Sequence, residues 1–150
     1  MRTISRFWSL LWRTFLVFLL LGVAIAILLR LLSVGIESLT PQSAQTAIQL
    51  KPTIWYAFLA ITLSGLELIL GINLVRLIVG KRLNYSRTAW KSYVLGLSFV
   101  LFLLATLNAG VAFLAGLDTW VAYKIYVAPL LFLCGVFILA ARIPSPENGL

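Results

Sequence analysis

A chain of 150 residues that is 62% hydrophobic and only 11% charged lies far from the balance of a soluble domain, roughly 45–50% apolar and about 25% charged. Its formal charge of +8 would suit a nucleic-acid binder, but the basic residues gather at the ends of long apolar runs, so no nucleic acid is expected as a partner. With no histidine and one cysteine, Cys134, the sequence excludes Ser–His triads, His-ligated zinc, His-held haem and an intrachain disulfide.

Four apolar runs are each long enough to cross a bilayer, which takes about 20 residues. In lipid every backbone polar group must be satisfied within the segment, so the runs are expected to be helices, and the alternation of a barrel strand is not seen. The first run covers about 12–34 and contains FLVFLLLGVAIAILL. The basic MRTISRFWSLLWR before it has the charge of a signal peptide. The apolar stretch that follows is too long for one, and no A-x-A-like site precedes Pro41, so the helix is expected to be retained. The polar link GIESLTPQSAQTAIQLKP, residues 35–52, is expected to form at most a short interfacial helix around PQSAQTAIQL.

The second run covers about 53–79 and the third about 90–115, joined by a basic link. The turn GLDT, with Gly116 at the bend and Asp118 as the expected N-cap, leads to the fourth run at about 119–141. Pro129 is expected to kink this helix. Cys134 reads as a small buried hydrophobe. The tail at 143–150, RIPSPENGL with its preceding arginine, is expected to be disordered. The fold class is thus an all-α polytopic membrane protein, one membrane domain over 1–150 with four transmembrane helices.

Charge orients the chain. Arg2, Arg6 and Arg13 precede the first helix, Arg76, Lys81, Arg82, Arg87 and Lys91 surround the second link, and Arg142 follows the last helix. The other links hold Glu37, Lys51 and Asp118, with Arg30 at the edge. Lys and Arg accumulate on the cytoplasmic side, so both termini are expected inside, with the tight turn between the third and fourth helices outside. Lys81, Arg82, Arg87 and Lys91 would then form a face for anionic lipid headgroups, worth about 1 kcal/mol per residue. Trp8, Trp12, Trp55, Tyr56, Trp90, Tyr93, Trp120 and Tyr123 are expected in the aromatic belts.

Three polar residues lie within the runs. Lys124 is about 7 Å and Asn108 about 10 Å below the outer surface at 1.5 Å per residue, so the two are expected to meet across the turn. Lys124 either snorkels or bonds structurally, or it faces a substrate. Glu67 is expected near the middle of the second helix, either protonated and donating to a neighbouring helix or serving a proton or solute relay. It belongs to a stripe of small and polar residues, Ala57, Ala60, Ser64, Glu67 and Gly71. Ala105, Asn108, Ala109, Ala112 and Gly116 form a similar stripe on the third helix. Such stripes suit close helix contact, and they are expected to offer more contact faces than a four-helix bundle uses internally.

LKPTIWYAFLA, LIVGKRLN, the following AW, TLNAGVAF, DTWVAYKIY and PLLF occur in an order and spacing that resembles the intracellular septation protein A family of bacterial inner membranes. The resemblance covers about residues 48–143. It marks Lys51, Pro52, Thr53, Gly80, Lys81, Trp90, Asn108, Asp118, Trp120, Val121 and Lys124 as signature positions. It implies a small inner-membrane protein with a cytoplasmic C-terminus, linked to envelope integrity, septation and the elongation and division machinery, with no established catalytic activity. Family members show about five hydrophobic segments, two of them before the Lys-Pro-Thr motif, whereas this chain shows one there.

The function expected is therefore non-enzymatic envelope maintenance and septation, exerted through contacts with envelope, elongation or division membrane proteins and with lipids. A homo-oligomer is the other partner class. No catalytic, metal or cofactor residue is expected. Lys51, Glu67, Asn108, Asp118, Trp120 and Lys124 are the candidate polar residues. One alternative is a small oligomeric transporter or channel using Glu67, Asn108 and Lys124; another is an accessory subunit of a larger membrane complex.

Overall fold

A computed structural model describes residues 2–32, 41–79 and 85–143. Among these all the regular structure is helical: α1 (Arg2–Leu32), α2 (Pro41–Ile69), α3 (Leu74–Val79), α4 (Arg87–Leu114), α5 (Leu117–Ala122), a π-helical turn (Tyr123–Val127) and α6 (Ala128–Arg142). Four stretches are long and apolar enough to cross a membrane: Ile4–Ala24, Ile48–Ile69, Arg87–Leu114 and the continuous segment Leu117–Arg142. The tail beyond Ile143, most of the first link, and Gly80, Lys81 and Arg82 lie outside the described residues.

The helix boundaries differ from expectation for local reasons. α1 starts within the basic N-terminal stretch because that stretch has an inner face. Leu10, Arg13, Thr14 and Val17 are all buried, and they are spaced i, i+3, i+4, i+7 on one side of a helix. The expected interfacial helix around 41–50 is continuous with the second span. Pro41 sits at its first position, where a missing N–H costs nothing. The second span ends ten residues early, at Ile69 rather than 79. Gly71 adopts φ 65°, the left-handed conformation that glycine tolerates at helix ends. The Ile72 N–H turns back to the Leu66 carbonyl at 2.9 Å. Asn73 then starts α3, its Oδ1 accepting from the Arg76 N–H at 2.9 Å.

At the other break, the helix α5 is N-capped by Gly116, with no side-chain cap bond. Asp118 is therefore not the N-cap. It lies in the first turn, where its charge still suits the helix dipole. Pro129 has no N–H to give Ile125, and the ladder widens just before it: the Ala128 N–H bonds the Tyr123 carbonyl, a π-type step. α4 begins at Arg87 because the Ser86 Oγ accepts from the Ala89 N–H at 3.2 Å.

α2 packs most extensively on α4, α4 also packs on α6, and α1 packs on α6 and α3. Leu10 and Val17 of α1, Leu59 and Leu63 of α2, Val75 of α3, Trp90, Tyr93, Val94, Leu97 and Leu101 of α4 and Val136 of α6 form one buried core. Both ends of the described chain meet at one end of the bundle, which is thus its basic end. There the Arg6 Nη1 donates to the Ile143 carbonyl at 3.0 Å, and Phe7 packs edge-on against Phe137. Thr14 Oγ1 and Tyr93 OH share a buried hydrogen bond of 2.7 Å that joins α1 to α4.

Two expectations about side chains are overturned. Trp90, Tyr93, Trp120 and Tyr123 are buried in the bundle rather than placed in an aromatic belt, while Trp8 and Trp12 face outward. Cys134 is exposed. The two stripes are used in part inside the molecule: Ala60 and Glu67 of α2, and Ala105 and Asn108 of α4, are buried, whereas Gly71 and Gly116 are exposed.

Two glycines set the approach of α4 to α6. A Cβ added at Gly135 would stand 2.8 Å from both Cγ atoms of Val100, and one at Gly96 would run into Leu139. Valine is stiff at χ1 and cannot swing away. Gly135→Ala should therefore destabilise the protein by about 1–3 kcal/mol, the usual cost of overpacking. Gly110→Ala, with nothing within 4 Å of the added atom, should be neutral or mildly stabilising. Denaturant-titrated unfolding of the two variants in one detergent checks the contrast.

Candidate functional site

The candidate polar residues separate into two places. At the tight-turn end, Asn108 of α4 is 1% exposed and ties three elements together. Its Nδ2 donates to the Gln49 carbonyl at 2.9 Å and to Thr53 Oγ1 at 2.8 Å, both on α2. Its Oδ1 accepts from the Trp120 indole Nε1 at 3.2 Å, on α5. An indole nitrogen can only donate, so the Asn108 amide orientation follows. Both amide hydrogens and the carbonyl are satisfied without water.

Pro52 lies between the two α2 acceptors. It cannot donate to the Ile48 carbonyl, and in the same turn the Gln49 carbonyl takes a side-chain donor from α4 instead. On the far side of the indole, Lys124 Nζ lies 5.0 Å from the Trp120 ring centroid, a cation–π distance. Asn108 and Lys124 thus do not bond each other as expected; Trp120 stands between them, its N–H turned to one and its face to the other. Lys124, Asp118 and Lys51 are exposed.

At the basic end, Glu67 sits in the last turn of α2 rather than at mid-span. It is 5% exposed, and its Oε2 is buried with no hydrogen-bond partner among the described residues. Glu67 lines a cavity of about 430 Å³ together with Asn73, Arg76, Arg87 and Trp90. Asn73 holds one wall: besides capping α3 it donates from Nδ2 to the Trp90 carbonyl at 3.1 Å. The Arg87 guanidinium lies over Gly71, where an added Cβ would come within 3.0 Å of Nη2. Arg87 and Lys91 are exposed on the first turns of α4, whereas Lys81 and Arg82 fall outside the described residues.

Glu67 and Thr53 are fourteen positions apart on α2, about 21 Å at 1.5 Å per residue. The structure therefore does not bring Glu67 together with Asn108 and Lys124. Sequence reasoning missed Gln49 and Thr53 as the Asn108 partners, and Asn73 and Arg76 as neighbours of Glu67. Thr53 stood among the signature positions. Asn73 carried a signal in the Gly-Ile-Asn order that ends one helix and caps the next.

The sequence model of one protein family, Intracellular septation protein A, matches residues 7–144. The chain belongs to this family. The match takes in all four spans, including the first helix, which the motif-by-motif resemblance had left out. No curated protein and no solved structure matches the chain. The family is one of septation-related membrane proteins and is not a known enzyme family, and the four spans make this member a multi-pass membrane protein. Of the positions marked by the sequence resemblance, Thr53, Asn108, Trp120 and Lys124 converge in the knot at the tight-turn end. Trp90 lies at the opposite end, and Gly80 and Lys81 are outside the described residues.

The knot makes a quantitative prediction. Asn108→Leu removes three hydrogen bonds and should cost about 1–3 kcal/mol, and Trp120→Phe should cost about 1 kcal/mol, given about 0.6–2 per bond in membranes. In the Asn108→Leu background, Trp120→Phe should cost much less, leaving a coupling of about 0.5–1.5 kcal/mol. A double-mutant cycle on unfolding free energies measures it; additive costs would mean that the bond contributes nothing.

Proposed function

We propose that this chain is a non-enzymatic protein of the bacterial inner (cytoplasmic) membrane that serves envelope maintenance and septation by contacting other membrane proteins and anionic lipids. Both termini and the basic link face the cytoplasm in this reading. The observation that carries it is the septation-family match across all four spans. The disposition of the polar side chains supports it. Asn108 is committed to bonds between helices, and Lys124 rests on an indole face. Glu67 is at the far end of α2, so the three residues do not line one path, and the transporter reading has less support than contact with partners. Action as an accessory subunit of a larger complex is a form of the same reading.

Partner contacts are made by outward side chains, since Ala60, Glu67, Ala105 and Asn108 of the small-residue stripes are taken up inside the bundle. Ile61, Phe99 and Leu130 are large, apolar and exposed on α2, α4 and α6. A photoreactive residue placed at each of these positions in living cells should yield crosslinks to envelope, elongation or division proteins from at least one face. The same probe at buried Leu97 should yield none. Crosslinks solely to other copies of the chain from every face would contradict the proposal and favour a homo-oligomer acting alone.

A further inference from the structure

The cavity at the basic end is not explained by the family reading. Its inner wall carries the Glu67 carboxyl, with Oε2 buried and unpartnered among the described residues, and its rim carries the exposed arginines Arg76 and Arg87. A buried carboxylate oxygen without a hydrogen-bond partner is unfavourable, so the cavity favours a positive group at its base in addition to the two arginines exposed on its rim. A free cation would have to pass two guanidiniums, and no group of three His, Cys, Asp or Glu residues among those described could hold a metal ion. A simple anion would suit the arginines, but Glu67 would repel it. A ligand with an ammonium at one end and a phosphate beside it satisfies both. Guanidinium is well matched to phosphate oxygens, and an ammonium supplies three donors to a carboxylate.

Position in the fold identifies the source of such a group. Glu67 lies in the last turn of a membrane span, the depth of lipid headgroups, and the exposed apolar side chains of Ile72 and Leu77 line the same cavity. We infer that the cavity seats the zwitterionic headgroup of an aminophospholipid. Its primary ammonium sits on Glu67, its phosphodiester sits between Arg76 and Arg87, and its acyl chains leave past Ile72 and Leu77. The inference rests on this cavity alone and is independent of the septation reading. It differs from general attraction of the basic face to anionic lipid, which needs no carboxylate.

The test uses the full chain, delipidated in detergent and titrated with phosphatidylethanolamine, phosphatidylcholine or phosphatidylglycerol. Bound lipid is counted by native mass spectrometry. Phosphatidylethanolamine should bind at least tenfold more tightly than phosphatidylcholine, whose quaternary nitrogen has no N–H to donate. Glu67→Gln keeps shape and hydrogen bonding but removes the charge. It should abolish this preference while leaving phosphatidylglycerol binding unchanged. The Arg76→Ala/Arg87→Ala double variant provides a second reading if Glu67→Gln does not fold, and it should weaken phosphatidylethanolamine at least tenfold. Equal binding of the three lipids, a preference that survives Glu67→Gln, or an unchanged affinity in the double arginine variant would overturn the inference. Competition by free phosphoethanolamine at the same concentration as the lipid would overturn the lipid as occupant.

Discussion

A primary amide buried among lipid-facing helices has no water to bond, so each of its polar atoms must find a partner in the protein or stay unsatisfied at a cost of several kcal/mol. Asn108 meets this constraint with Gln49, Thr53 and Trp120, and the arrangement of the bundle at that end follows from it. α2 must pass close to α4 with its proline-loosened turn at the right height. The chain must reverse within Ala115 and Gly116 so that Trp120, twelve residues after Asn108, can reach back. A longer turn would leave the indole N–H and the amide carbonyl both wanting. The small residues at the α2–α4 seam permit the approach, and Gly96 and Gly135 do the same where α4 meets α6.

The other end is built on a different principle. There the backbone is interrupted by Gly71 and recapped by Asn73, whose amide also holds the Trp90 carbonyl. Arg6 on the Ile143 carbonyl joins the first helix to the last, but Glu67 Oε2 has no partner among the described residues, and the residue lines a cavity. One end is thus closed by hydrogen bonds that need no visitor, and the other has an electrostatic arrangement that a visitor would complete. This asymmetry argues against reading the polar residues as one continuous route across the membrane.

The four spans, their order and the tight turn were legible because they depend on uninterrupted hydrophobicity and on one Gly-Leu-Asp-Thr stretch. The family was legible because Lys-Pro-Thr, Asn and Asp-Thr-Trp are few, polar and set in a fixed order within otherwise apolar sequence. What could not be read were breaks inside apolar sequence. Gly71 is flanked by Leu70 and Ile72, so hydropathy runs through the point where the helix stops. That single error moved the apparent centre of the second span onto Glu67, which in fact lies in the last turn of α2. Trp90 and Tyr93 were read as belt residues because α4 seemed to begin at Trp90; the Ser86 cap starts it earlier, and both rings lie on its packed face. The bonding of Asn108 was half legible. Its depth predicted a partner across the turn, but a lysine with a long reach and a tryptophan with an N–H both follow within one turn and a short helix, and only packing decides between them.

With Asn108 buried and its amide fully bonded, the polar knot is a closed structural tie rather than a water-accessible site. Solvent exchange of the Trp120 indole proton, followed by NMR in lipid nanodiscs, tests this most directly. If the tie is closed, the Trp120 indole should exchange much more slowly than the indoles of outward-facing Trp8 and Trp12, and Asn108→Leu should release it. Exchange of Trp120 as fast as that of Trp8 in the unaltered protein would show water reaching Asn108 and would contradict the claim.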